Sequence, residues 1–234
     1  MQDIPDEKKC RQLMTQYVML PNIIQHSYRV CQVALFLSRA LNQTGAGLNL
    51  ELIKAASLLH DITKTRGLQT KENHAKTGEA LLTDLGYPQV ARVVGRHVEL
   101  KDVKNCSSLT EEHIVNHADR RVLHENVVSL EVRFSYLIDR YGRTPEIRRR
   151  INMMEVTARE LERVIFHQIN YSPDELLSLN DLPPSEWNLL PEALSPQPPI
   201  DKRGNNGLEK SRNKLEVRSQ KSGARRKKRN SLND

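Results

Sequence analysis

In Leu58-Leu59-His60-Asp61-Ile62-Thr63-Lys64 a histidine and an aspartate stand side by side at the end of an apolar run. Adjacent side chains leave a helix about 100° apart, so this pair cannot stack on one face as an i, i+4 metal pair would. It can meet one metal only near a helix end, or each member leans toward a neighbouring ion. The preceding residues Ile53, Ala55, Ala56, Leu58 and Leu59 are apolar nearly all round, which predicts a helix buried inside a domain. Ionisable groups placed there are costly unless paired or coordinated, so partners are expected elsewhere in the chain.

Apolar residues make up 38% of the 234 and aromatics only 4%, so a core must be built from Leu, Val, Ile and Ala, which favours helices. Helical patterns run through residues 6–20 and through Asn22 to Asn42, the latter with Ile23, Ile24, Val30, Val33, Ala34 and Leu37 on one broad stripe and His26 in its first turns. Asn49 is placed to cap a helix reaching the His60-Asp61 pair, and residues 65–71, polar and aperiodic, are expected to form a loop. Asn73 opens a helix to Leu85, stopped by Gly86, and Pro88 starts one containing His97. Residues 99–109 are expected to form a second loop. Thr110-Glu111-Glu112 opens a helix running past Asp119, and two more patterns cover 125–141 and 145–168. No strand-like alternation stands out. The prediction is an all-α domain over residues 1–170.

Six prolines lie between Pro183 and Pro199, which marks 171–200 as a Pro-rich linker, with Trp187, Leu189 and Leu190 able to dock locally. Beyond it, Lys202–Asp234 carries twelve basic and three acidic residues, a local charge of +9, leaving 24 basic and 26 acidic residues in 1–201. The net +7 therefore belongs to the tail. Residues 201–234 are too polar to offset their ordering entropy and are expected to be disordered, with non-specific nucleic-acid contact as their candidate role. Cys10, Cys31 and Cys106 are odd in number and unclustered, as in reduced intracellular proteins. The first residues lack a signal-peptide pattern and no apolar run reaches the roughly 20 residues of a membrane span, so a cytoplasmic protein without membrane contact is expected.

The body holds His26, His60, Asp61, His74, His97 and Asp119 on five predicted helices or their ends. Four imidazoles and two carboxylates suit manganese, iron, nickel or zinc, and the absence of clustered thiols excludes a soft-metal cysteine site. The order His … His-Asp … His … His … Asp resembles the HD superfamily of metal-dependent phosphohydrolases, over about Pro21 to Arg121. The resemblance implies an HD-domain helical bundle in which His26, His60, Asp61 and Asp119 hold a divalent metal. It further implies that His74 and His97 hold a second, with Asp61 bridging. Two such ions roughly 3.5–4 Å apart lower the pKa of a water held between them for in-line attack on phosphorus.

Locally the chain is similar to bacterial HD hydrolases of diadenosine tetraphosphate, through His60-Asp61-Ile62-Thr63-Lys64, His74-Ala75-Lys76-Thr77-Gly78 and Ala118-Asp119. It departs from them at Val98, where Thr is common, and at Arg120-Arg121-Val122. The expected function is hydrolysis of a phosphoester or phosphoanhydride of a nucleotide or related small molecule, with Asp61 and Lys64 as catalytic residues. Lys64, three residues past Asp61, is suited to a substrate phosphate. The alternative is a nucleotide-sensing, metal-binding module whose tail contacts RNA or another polyanion.

Arg96 and Arg120 adjoin proposed ligands but diverge from them on a helix, and His113 and His117 are expected to face away from Asp119. No role is assigned to Cys106, His124 or His167. The apolar stripe Val128, Leu130, Phe134, Leu137 and Ile138 reads as core or as the surface of a homodimer. Pocket walls are expected from the loops at 65–73 and 99–109.

Overall fold

The broad apolar stripe after Pro21 becomes the spine of the molecule. In the computed structural model, which describes residues 4–100 and 108–182, helix α2 (Pro21–Gln43) is buried over most of its length. Such a helix has no solvent face to spare, so neighbours must cover it on several sides. They are α3 (Leu50–Leu59) and α7 (Glu111–Arg120), while α1 (Glu7–Gln16) packs on α3. Helices α5 (His74–Asp84) and α6 (Pro88–Arg96) form a tight antiparallel pair whose second member lies against α3 and α7. Leu, Ile, Val and Ala from these elements make one continuous core.

The helix starts are where capping chemistry puts them. Asp6, Asn49 and Asn73 accept backbone N–H bonds from Lys9, Leu52 and Ala75 at 2.7, 3.1 and 3.1 Å, satisfying orphan donors of the first turns. At α7 the box is reciprocal between Thr110 and His113, with Thr110 N–H donating to His113 Nδ1 at 3.1 Å. This places His113 at the helix start.

Three expectations are corrected. Residues expected to form a loop at 65–71 lie mostly in a short helix, α4 (Lys64–Thr70), ended by Lys71 in the left-handed region at φ +65°. It buries no residue, so its sequence carries no apolar rhythm to reveal it. The helix expected from 125 begins only at Leu130, capped by Ser129, as α8 (Leu130–Tyr141). Before it lies a hairpin, β1 (Val122–Leu123) and β2 (Asn126–Val127), too short for alternation to register. Its two-residue loop puts His124 at φ +56°, as tight hairpin turns require of their first loop position. Helix α9 (Pro145–His167) then packs on α8 through Leu130, Phe134, Ile151 and Ala158.

The packed body also continues beyond 170, where the linker was expected to begin. A 3-10 helix (Pro173–Asp181) buries Leu176 and Leu179, each contributing about 1.5–3 kcal/mol. Two buried arginines fasten it. Arg29 donates to the carbonyls of Glu125 (2.7 Å), Leu182 (2.8 Å) and Leu179. Arg121 donates to the carbonyls of Val128 (2.7 Å) and Pro173 (2.9 Å) and to Glu162 Oε2 (2.7 Å). Cys106, the rest of the 101–107 segment, Trp187, Leu189, Leu190 and the basic tail lie outside the described residues. Among the described residues no helix is long and apolar enough to cross a membrane.

Candidate metal centre

Helix ends deliver the six expected residues to one place. His60 is the C-cap of α3, and Asp61 follows it in the turn into α4. The helix-end placement overcomes the divergence of neighbouring side chains. His74 opens α5, His97 caps α6, His26 lies in the second turn of α2, and Asp119 in the last turn of α7. The turn after Asp61 is tied to α5 where Thr63 Oγ1 donates to the His74 carbonyl at 2.8 Å. Helix α7 is tied to α6 where Asn116 Nδ2 donates to the His97 carbonyl at 2.6 Å.

Asp61 divides its two oxygens. Oδ2 lies 2.6 Å from Lys64 Nζ and 3.3 Å from His60 Nε2, while Oδ1 lies 3.2 Å from His74 Nε2 and 3.7 Å from His97 Nε2. Asp119 Oδ1 lies 3.0 Å from His26 Nε2 and 3.8 Å from His60 Nε2. His74 and His97 bring their Nε2 atoms within 3.2 Å. Two groups of donor atoms emerge, each compact enough to surround an ion: His26, His60 and Asp119, and His60, Asp61 and His97. His74 stands at the edge of the second and is more exposed than the rest.

The imidazoles are oriented from behind. The Nδ1 atoms of His26, His60 and His97 donate to the carbonyls of His124, Ser57 and Val94 at 2.8, 2.7 and 2.7 Å. That fixes the tautomer, leaving the Nε2 lone pairs aimed inward, as metal-ligating histidines are held. His60 Nε2 and Asp61 Oδ1 are buried with no hydrogen-bond partner, since their close neighbours are out of alignment for one. Buried polar atoms left this way are costly, and a cation among them would satisfy both. The donor set therefore fits one or two divalent ions.

Electrostatics keep the groups in ligand form. Burial alone would raise the Asp61 carboxyl, but Lys64, His60 and His97 hold it well below the usual carboxylate range. Asp119 is likewise held low against burial by His26 and Arg133. Burial, aided by His97, pushes His74 down to about 4 despite Asp61, so this imidazole is neutral near pH 7. Burial also disfavours the Lys64 ammonium, but Asp61 and Asp119 outweigh it and raise its pKa.

The centre forms the floor of a cavity of about 480 Å³, a size that encloses small ligands. Of the two expected wall segments, 65–73 contributes Leu68 and most of 99–109 lies outside the described residues; the hairpin adds Leu123, His124 and Glu125, and α8 adds Arg133, Tyr136 and Tyr141. His124, assigned no role from sequence, orients His26 through its carbonyl. Arg133 had no motif to betray it, since it merely adjoins Phe134 on an amphipathic helix. Arg96 pairs with Glu112 at 2.9 Å, and Arg120 donates to the Val98 carbonyl and lies over the Phe134 ring. His117 faces Glu162 and Phe166, turned from the centre as expected.

The HD domain family matches residues 23–144, just over half of the chain. An uncharacterized protein of Methanocaldococcus jannaschii is 27% identical over 144 residues, covering 55% of this chain and 83% of that relative. No solved structure matches the chain.

Proposed function

The chain belongs to the HD domain family, and on that premise we propose that it is a metal-dependent phosphohydrolase acting on a phosphoester or phosphoanhydride of a nucleotide or related small molecule. The observation that carries this reading is the inward aim of the His26, His60 and His97 Nε2 atoms at two buried carboxylates, each imidazole held by a backbone carbonyl. In this reading His26, His60, Asp61 and Asp119 hold one divalent ion, and His74 and His97 share Asp61 in holding a second. The division of Asp61 between Oδ1 and Oδ2 supports the sharing. When bound, such ions supply a water of lowered pKa and polarise a phosphoryl oxygen.

The protein's own groups do the rest. Asp61 and Asp119, kept ionised by their cationic neighbours, hold the fixed negative charge of the floor. Lys64 Nζ, beside Asp61 Oδ2 and about one-third exposed to the cavity side, offers a positive charge to a phosphate as charge develops on it.

The test is a panel of phosphomonoesters, phosphodiesters and dinucleotides that includes diadenosine tetraphosphate. The panel is run with manganese- or iron(II)-loaded protein beside Asp61→Asn. Turnover that falls about 100-fold or more in the variant supports the reading. Equal background rates in the two proteins, with metal shown to be bound in the parent, reject it in favour of a nucleotide-sensing module whose basic tail contacts a polyanion.

A further inference from the structure

Arg29, Arg120, Arg121 and Arg133 are four largely buried arginines of the described body, and they are used differently: Arg120 donates to the Val98 carbonyl and lies over the Phe134 ring. Arg29 and Arg121 spend their guanidinium donors on backbone carbonyls and, for Arg121, on Glu162. Arg133, on α8, has a side chain only 15% exposed, yet its Nε is buried with no hydrogen-bond partner. Its nearest acidic oxygen, Asp119 Oδ1, is 3.9 Å from Nη2, too far for a hydrogen bond. A guanidinium presents five donors in a rigid fork suited to phosphate. This one lines the cavity with its Nε unpartnered and only the long ion pair to Asp119 on its Nη2.

The same face of α8 continues away from the centre. Arg133, Tyr136, Leu137 and Tyr141 all line the cavity, at the i, i+3, i+4 and i+8 spacing of a single helix face. Over those eight residues the helix rises about 12 Å. The face thus passes from a cation beside the carboxylates to two phenol rings, with Tyr141 exposed at the far end. The helix is braced behind by Leu130 and Phe134 against Ile151 and Ala158. Tyr136 is steadied by the His124 ring, edge-on at 5.5 Å.

We propose that this α8 face is the substrate-recognition wall: Arg133 binds a phosphate held over the His-Asp floor, and Tyr136 and Tyr141 pack against a planar ring system attached to it within about 12 Å. Lys64 and Arg133 then take the phosphate from two different elements, and the tyrosines favour a nucleoside over a bare sugar phosphate. The inference rests on the hydrolase reading for why phosphate is brought there, but its test reads binding and needs no turnover.

The experiment is calorimetric titration of the full, manganese-loaded chain with three probes. They are inorganic phosphate, the phosphonate analogue of adenosine 5′-monophosphate in which carbon replaces the ester oxygen, and the same phosphonate on ribose without a base. Arg133→Gln is expected to weaken all three by about tenfold or more, with Arg133→Lys recovering part of the loss and the manganese content unchanged. Tyr136→Ala and Tyr141→Ala are expected to weaken the adenosine probe by about fivefold or more and to leave inorganic phosphate unaffected. Unchanged phosphate affinity in Arg133→Gln overturns the proposal. A loss that tracks lost manganese also overturns it, because Arg133 would then act only by orienting Asp119. Equal affinity of the parent protein for the two phosphonates overturns the aromatic half. A protein that binds as expected but hydrolyses nothing on the panel would fail the hydrolase reading alone.

Discussion

His26 Nε2 and Asp119 Oδ1 lie 3.0 Å apart, although 93 residues separate them in the chain. The other ring nitrogen of His26 already donates to the His124 carbonyl at 2.8 Å. A neutral imidazole has only one N–H, so the short Nε2–Oδ1 approach calls for a cation between the two, a second proton or a metal.

A ligand that binds only the folded chain stabilises it by mass action, by about 2.7 kcal/mol at a hundredfold excess over its dissociation constant. Manganese is therefore expected to raise the urea midpoint of the protein and EDTA to reverse it, as followed by circular dichroism. In His26→Asn the increment should shrink to a small fraction. An equal increment in the variant would remove His26 from the centre.

Lys64 guards the buried Asp61 carboxylate, which is 1% exposed. Lys64→Met leaves that charge without its ammonium, and unfolding free energy in EDTA should fall by about 1–3 kcal/mol, less than for a fully buried pair because Lys64 is partly solvated. Manganese, taking over the neutralisation, should narrow the gap between variant and parent. Superimposable denaturation curves in EDTA would contradict this role.

Gly78 explains its own place in His74-Ala75-Lys76-Thr77-Gly78. A Cβ there would sit 3.1 Å from Val94 Cγ1, so the glycine lets α5 approach α6 until His74 and His97 meet. In Gly78→Ala the gain of about 0.5–1 kcal/mol in helix propensity offsets a mild clash, and stability should stay within about 1 kcal/mol of the parent. Gly78→Leu cannot be absorbed: a loss of about 2–3 kcal/mol is expected, with weakened metal binding. Denaturant melts and metal titration of both variants check the pair.

Cys10 and Cys31 are buried thiols, and burial pushes Cys10 from 9.0 up to about 12 and Cys31 higher still. Neither should react with iodoacetamide at pH 8 in the native protein, and both should react in urea, as read by mass spectrometry. Above pH 9 the unfolded chain releases these protons while the native chain keeps them. The unfolded state then binds fewer protons, and stability falls as pH rises from about 9 toward 12, by on the order of 1 kcal/mol per thiol per pH unit. The Cys10→Ala, Cys31→Ala double variant should show a shallower decline.

Much of this was legible from residue spacing. The stripe of α2, the Asn49 and Asn73 caps and the position of His60-Asp61 at a helix end follow from local rules of periodicity and capping, and the ligand-type residues stood out by type and order. What stayed hidden lacks a local signature. Helix α4 buries nothing and so shows no rhythm, and the hairpin has only two residues per strand. The 3-10 helix is held by Arg29 and Arg121, whose partners lie 150 and 52 residues away. Arg133 and Tyr136 acquire meaning only when α8 folds back over the centre, a tertiary fact without a sequence motif.

The measurement that bears most directly on the central claim is the metal content of the purified chain after equilibrium dialysis against manganese, beside the near-isosteric His60→Gln and Asp61→Asn. Bound metal of about one to two ions per chain in the parent, with most of it lost in both variants while their circular dichroism stays helical, is the predicted result. A parent chain that retains no manganese, iron or zinc under these conditions, or variants that retain as much as the parent, would contradict the assignment of His60 and Asp61 to a metal centre.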